Sequence, residues 1–129
     1  MSASGWVLVV DDDADIRDFV ELVLADEGYE VRTAAHGAAA LTLVARSQPG
    51  LILLDMRMPV MDGWEFARTY RQMQGPHAPI VVLTAAASAG ACSEQIGAAG
   101  FLAKPFELDQ LLERVSRCLH QQQLYPQTL

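Results

Sequence analysis

Five times along the chain a short apolar run gives way to a stretch whose apolar residues fall at helical spacing, and few folds accept that rhythm. The runs are Val7–Val10, Tyr29–Ala34, Leu51–Leu54, Ile80–Leu83 and Phe101–Ala103. Most are continuous in apolar residues, as strands buried on both faces are, although spacing alone does not separate such a run from a buried helix. The first helical stretch puts Ile16, Phe19, Val20, Val23 and Leu24 on one stripe, with Asp13 as N-cap and Gly28 just past its end. A second runs over Ala38–Arg46, with Leu41, Val44 and Ala45 on one face, and Pro49-Gly50 closes it. Met61-Asp62-Gly63 opens a third, about Trp64–Gln74, which Gly75-Pro76 breaks. A weak fourth is expected over about Ser88–Ala98. The last, about Glu107–His120, turns Leu108, Leu111, Leu112, Val115 and Leu119 inward.

Regular strand–helix alternation predicts a parallel sheet covered on both faces, because each crossover returns right-handed over the sheet. Five such units give an α/β, doubly wound, flavodoxin-like (βα)5 fold with strand order 2-1-3-4-5. The 129 residues suit one domain, residues 1–129, with a core over about 6–120 and a polar, mobile tail at 121–129.

In such a sheet ligands sit beyond the carboxyl ends of the strands. Here Asp11 and Asp12 end the first strand, Asp55 the third, Thr84 the fourth and Lys104 the fifth. An aspartate at a strand end is often only a helix cap, and a lone Thr or Lys there means little. All of them at one edge form a pattern that capping does not explain. Three carboxylates brought together repel one another. A hard divalent cation removes that penalty, and magnesium, or manganese in its place, suits so few carboxylates. Lys104 adds a fixed positive charge, so the group is suited to an anion that shares the metal.

The formal net charge of −7 and pI near 4.7 argue against nucleic-acid binding through phosphate neutralisation. The acidity fits a partner with its own positive charge or a cation site, and solubility is the plainer reading. Apolar runs are too short to insert in a membrane and Met1–Gly5 begins no secretory segment, so a cytoplasmic location is expected. Cys92 and Cys118 are expected to be reduced and structural. His36, His77 and His120 are expected at the surface, Trp6 and Trp64 at the periphery, and Met56, Met58 and Met61 as packing around the pocket.

Val7-Leu8-Val9-Val10-Asp11-Asp12-Asp13 resembles the opening of response-regulator receiver domains. The segment from Leu53 to Gly63, with Asp55, Pro59 and Asp62-Gly63, is similar to that family's phosphorylation segment. Leu83-Thr84-Ala85 and Lys104-Pro105-Phe106 match its remaining signatures in order, so the resemblance covers about Trp6 to His120. It implies that Asp55 is the phosphoacceptor. It further implies that Asp12 and Asp55 bind Mg2+ directly, that Asp11 acts mainly through a water, and that the backbone carbonyl of Arg57 completes the set. Lys104 and Thr84 would each take a phosphoryl oxygen. Thr84 and Phe101 would form the switch, and Lys104-Pro105 would be cis. The implied donor is a phosphohistidine on a sensor histidine kinase or phosphotransfer protein. The implied output is a downstream protein target on the face formed by the weak fourth helix, the fifth strand and the last helix, with a phosphorylation-dependent dimer as one form. Such a domain is a signalling phosphoacceptor rather than an enzyme, with weak self-phosphorylation from small donors and slow autodephosphorylation. No output domain is expected after His120.

Two departures from the family pattern stand out. Ala85–Gly100 is crowded with Ala and Gly, so its helix is expected to be short or mobile. Arg57 and Ala86 occupy positions that vary in the family and would tune dephosphorylation. Three rival readings fit the residues less well. A haloacid-dehalogenase phosphatase wants a second aspartate where Arg57 stands. A flavodoxin-type FMN carrier wants a hydroxyl- and glycine-rich loop where Asp11-Asp12-Asp13 stands. A phosphorylation-independent adaptor would not need the intact acidic set.

Overall fold

The computed structural model of the chain describes residues 5–124. Ten elements follow the expected rhythm: β1 Val7–Val10, α1 Ala14–Asp26, β2 Val31–Ala34, α2 Gly37–Arg46, β3 Leu51–Asp55, α3 Gly63–Gln72, β4 Ile80–Ala85, α4 Ala86–Ile96, β5 Gly100–Lys104 and α5 Leu108–Leu124. The strands form one parallel sheet in the order β2-β1-β3-β4-β5, as predicted.

Side chains of the three central strands divide by parity, because successive residues of a strand point to opposite faces. Leu8, Val10, Ile52, Leu54, Ile80 and Val82 face one core, where α2, α3 and α4 supply Val44, Phe66, Tyr70, Cys92 and Ile96. Val7, Val9, Leu51, Leu53, Val81 and Leu83 face the other, closed by Val20 and Leu24 of α1 and Leu111, Val115 and Cys118 of α5. Fully burying side chains of this size is worth about 1.5–3 kcal/mol each. The two free thiols, Cys92 and Cys118, are buried in these opposite layers. Burial pushes the Cys118 thiol above its usual range, which keeps it unreactive.

Several boundaries and side chains differ from expectation. β2 begins at Val31 rather than Tyr29. Phe19 leaves the buried stripe of α1 and lies partly exposed beside Phe106, ring centroids 6.5 Å apart. Leu108 is 45% exposed because it opens α5, before the helix meets the sheet. Helix α5 continues to Leu124, into the segment expected to be tail, and the remainder of that tail lies outside the described residues. Trp6 is buried in the core rather than peripheral, and its Nε1–H donates to Ser47 Oγ at 3.1 Å. His36 is half-buried: its Nδ1 accepts from the Ala39 N–H at 3.2 Å and caps α2. His77 is exposed as expected, its ring edge-on to Tyr70, while the side chain of His120 lies outside the described residues.

Helix α4 has 11 residues and begins at Ala86, two residues earlier than expected. Alanine offsets the cost of Gly90, and Ala89, Cys92, Ser93 and Ile96 form a buried stripe of small residues that a search for large apolar ones overlooks. Its C-terminal end is anchored. Gly97 terminates it in the left-handed region at φ 64°, the Arg71 guanidinium of α3 donates to the carbonyls of Ile96 and Gly97, and Trp64 Nε1–H donates to Gln95 Oε1 at 2.9 Å. Arg71→Met is therefore expected to cost about 1 kcal/mol. It is also expected to speed amide exchange at the end of α4 while leaving α2 protected, as hydrogen–deuterium exchange mass spectrometry would read.

Candidate functional site

The sheet brings the predicted polar residues to one edge. Val10 pairs with Leu54 across β1 and β3, so Asp11 and Asp55, the next residue on each strand, emerge side by side. Thr84 stands opposite Ala103, and Lys104 opposite Ala85. Asp11 is fully buried, Asp55 is 4% exposed, Thr84 is buried and Asp12 is exposed. An open cavity of about 500 Å³ lies over this edge, lined by Asp12, Asp13, Asp55, Arg57, Thr84, Ala85 and Lys104.

Lys104 spans the site. Its Nζ lies 2.7 Å from Asp11 Oδ2 and 3.7 Å from Asp55 Oδ1. The remaining oxygen of Asp11 accepts from the Asp13 N–H at 2.9 Å, and Asp13 caps α1 by accepting from the Asp15 N–H. Asp55 Oδ1 receives a longer contact, 3.4 Å, from the Arg57 N–H. The peptide Lys104-Pro105 is cis, as the resemblance implied.

Asp55 is held from below. A Cβ on Gly63 would stand 2.7 Å from Met56 Cα and 2.8 Å from the Asp55 carbonyl oxygen, so only glycine lets α3 start this close to the end of β3. Between them, Val60 adopts φ 71° and is 81% exposed, and the Met61 N–H donates to the Pro59 carbonyl at 2.8 Å. A β-branched residue in the left-handed region stores strain of about 1–3 kcal/mol. Sequence reading missed this turn because nothing about a valine announces positive φ. It also missed Arg17, a half-buried residue whose Nη1–H donates to the Asp11 carbonyl at 2.9 Å.

Carboxylate oxygens of Asp11, Asp12 and Asp55 all lie within 4.8 Å of one another. Such hard donors, with the Asp12 carboxylate exposed, fit an oxygen-seeking divalent cation such as Mg2+ or Mn2+. Burial, and then the charge of Asp11, push the Asp55 carboxyl up to about 6, against the lowering influence of Lys104.

An α/β sheet with an acid-rimmed, lysine-bridged carboxyl edge defines a receiver. The chain belongs to the response regulator receiver domain family, whose profile matches residues 7–116. Response regulator MprA of Mycobacterium leprae (strain TN) is 41% identical over 118 residues, 88% of this chain and 50% of the relative. The chain thus spans about half the length of the curated relatives it matches. Among solved structures, chemotaxis response regulator CheY4 of Vibrio cholerae aligns with TM-score 0.82 and 39% identity, covering 91% of this chain and 100% of that one. The receiver domain of NtrX from Brucella abortus aligns with TM-score 0.80 and 34% identity, covering 88% and 98%. Receivers of this family bind Mg2+ at an acidic pocket and interact with histidine kinases or phosphotransfer proteins. No helix among the described residues is long and apolar enough to cross a membrane.

The raised Asp55 pKa has a stability consequence. Below its ordinary value of 3.8 the group is protonated in both folded and unfolded chains and contributes nothing. As pH rises the unfolded chain ionises first, so stability is lost until the folded carboxyl also ionises near pH 6. Above that point the penalty is complete, at up to about 3 kcal/mol. Without divalent ions, Asp55→Asn is expected to be more stable than wild type at pH 7.5, with the gain fading toward pH 4. Urea unfolding at the two pH values checks the sign.

Proposed function

We propose that this receiver takes a phosphoryl group from a phosphohistidine onto Asp55 and thereby switches its α4-β5-α5 face for protein contact within a two-component or phosphorelay system. The observation that carries the reading is Lys104, whose ammonium stands between Asp11 and Asp55 at the mouth of the cavity. Asp11, Asp12, Asp55 and the backbone carbonyl of Arg57 would hold the divalent ion.

A carboxylate is a weak nucleophile, so positioning and charge neutralisation carry the reaction. Mg2+ held by these residues would supply positive charge against the charge that gathers there during transfer. Asp55 presents an oxygen in line with the donor phosphorus; the new O–P bond forms as the N–P bond of the phosphoimidazole breaks. The departing imidazole keeps the bonding electron pair and takes a proton. Lys104 holds one phosphoryl oxygen, and the Thr84 hydroxyl donates to another. Water later attacks the phosphorus of the acyl phosphate, the P–O bond to Asp55 breaks, and inorganic phosphate leaves with the carboxylate restored. Ala86, two residues past Thr84, has no group with which to orient that water, whereas Arg57 lines the cavity and can cover the acyl phosphate.

Signalling follows from the movement of Thr84. Phe101 is 40% exposed, and its ring lies 3.9 Å from where a Cβ on Gly90 would stand. With Thr84 drawn to the phosphoryl group, this ring turns inward, driven by apolar burial alone because phenylalanine has no hydroxyl to bond at its tip. In the cytoplasm the receiver's partners are a sensor histidine kinase or phosphotransfer protein on the donor side, and a target protein or a second copy of the chain on the output side.

Acetyl phosphate with Mg2+ is expected to label wild type on Asp55, read by intact-protein and peptide mass spectrometry. Asp55→Asn should remain unlabelled, and EDTA should abolish labelling of wild type. Full labelling of Asp55→Asn would refute the assignment. Arg57→Ala is expected to change the lifetime of the phosphorylated form severalfold, and an unchanged lifetime would leave Arg57 without a part in the reset.

A further inference from the structure

We infer that Arg17 is a positioning residue for the metal site: from behind the cavity it fixes the main chain that carries Asp12. The inference rests on the metal reading given above. Arg17 sits in the first turns of α1, and its N–H donates to the Asp13 carbonyl at 3.0 Å. Side chains of a helix lean toward its N-terminus. That lean carries the guanidinium back over the residues that precede the helix, where Nη1 reaches the Asp11 carbonyl at 2.9 Å. The guanidinium is not among the groups that line the cavity, so it is placed to hold the site without entering it.

The consequence falls on Asp12. Its carboxylate is exposed and lines the cavity, and among the described residues no hydrogen bond or ion pair holds it in place. Its backbone, by contrast, is held on both sides. The peptide before it is fixed through the Asp11 carbonyl by Arg17, and the peptide after it through the Asp13 N–H by Asp11 Oδ1, 2.9 Å away. Lys104 secures the other oxygen of that same Asp11 carboxylate. With both flanking peptides fixed, an exposed acid keeps the placement that a metal ligand needs. Groups that orient ligands from behind typically govern metal affinity by about 10–100-fold.

Electrostatics alone predicts the opposite sign, since deleting a nearby cation would tighten binding of another cation. The direction of the effect therefore decides. Isothermal titration of the metal-free full chain with MgCl2, supported by Mn2+ electron paramagnetic resonance, is expected to show Arg17→Met binding about tenfold or more weakly than wild type. Arg17→Lys, which keeps the charge and one donor, should fall between them. Labelling by acetyl phosphate should need more Mg2+ in Arg17→Met yet approach the wild-type rate at saturating Mg2+. Where Arg17→Met fails to fold, Arg17→Gln is read by the same criterion. Affinity equal to or tighter than wild type in the variant overturns the role of Arg17 alone. Absence of Mg2+ binding by wild type overturns the metal reading together with it.

Discussion

The structure turns on charge held at a sheet edge. Asp11 and Asp55 are buried on neighbouring strands, with Asp12 beside them, and all three present oxygens within 4.8 Å of one another. Carboxylates so placed cannot all ionise comfortably. Asp11 meets the problem by giving one oxygen to Lys104 and the other to the Asp13 N–H, while Asp55 is left with the raised pKa. The fold therefore concentrates its unfavourable electrostatics on the residue whose oxygen is the proposed nucleophile. A cation entering the cavity relieves that strain, so ion binding and nucleophile activation draw on the same imbalance.

Register protects this arrangement. Alternate residues of β1, β3 and β4 fill two separate cores, so a slip of one residue would exchange the sets facing α1 and α5 with those facing α2, α3 and α4. Val7–Val10, Leu51–Leu54 and Ile80–Leu83 are all fully buried, and such a slip would move large side chains into spaces shaped for others. It would also carry Asp55 away from Asp11. Placement of the site is thus secured by packing well beneath it, which explains how one exposed acid and one long lysine can work at a rim that is otherwise open.

Much of this was legible in the chain, and for a physical reason. Strands buried on both faces need continuous apolar runs, and a polar residue that ends such a run marks the strand's end. Asp11, Asp55, Thr84 and Lys104 were therefore visible as one edge before any coordinates. What stayed hidden depends on geometry that residue type does not encode. Leucine at position 108 reads as core, yet the first turn of α5 sits beyond the sheet. Histidine at position 36 reads as surface, yet its ring nitrogen replaces the usual hydroxyl or carboxylate as an N-cap. The small buried stripe of α4 defeats a search for large apolar residues, because close approach substitutes for side-chain volume there. Arg17 was missed because a lone arginine on an acidic helix looks like a solvated charge, and only its reach to a main-chain carbonyl separates the two.

Helix α4 joins the pocket to the output face, and its ends are unequal. The C-terminal end carries a left-handed glycine cap, two carbonyls taken by Arg71 and a side-chain bond from Trp64. The N-terminal end follows directly from β4; its cap residue is Ala85, which makes no side-chain cap bond. Orphan N–H groups of an uncapped first turn are less firmly fixed than the groups of a capped one. Ala85 is also the neighbour of Thr84, the residue proposed to move toward the phosphoryl group. A shift at Thr84 therefore reaches α4 at the end that yields, while Arg71 and Trp64 hold the other end against α3. Under that constraint the proposed switch would make the helix pivot rather than slide. The displacement would then be largest near Ala85 and pass on to Gly90, the position that borders the ring of Phe101.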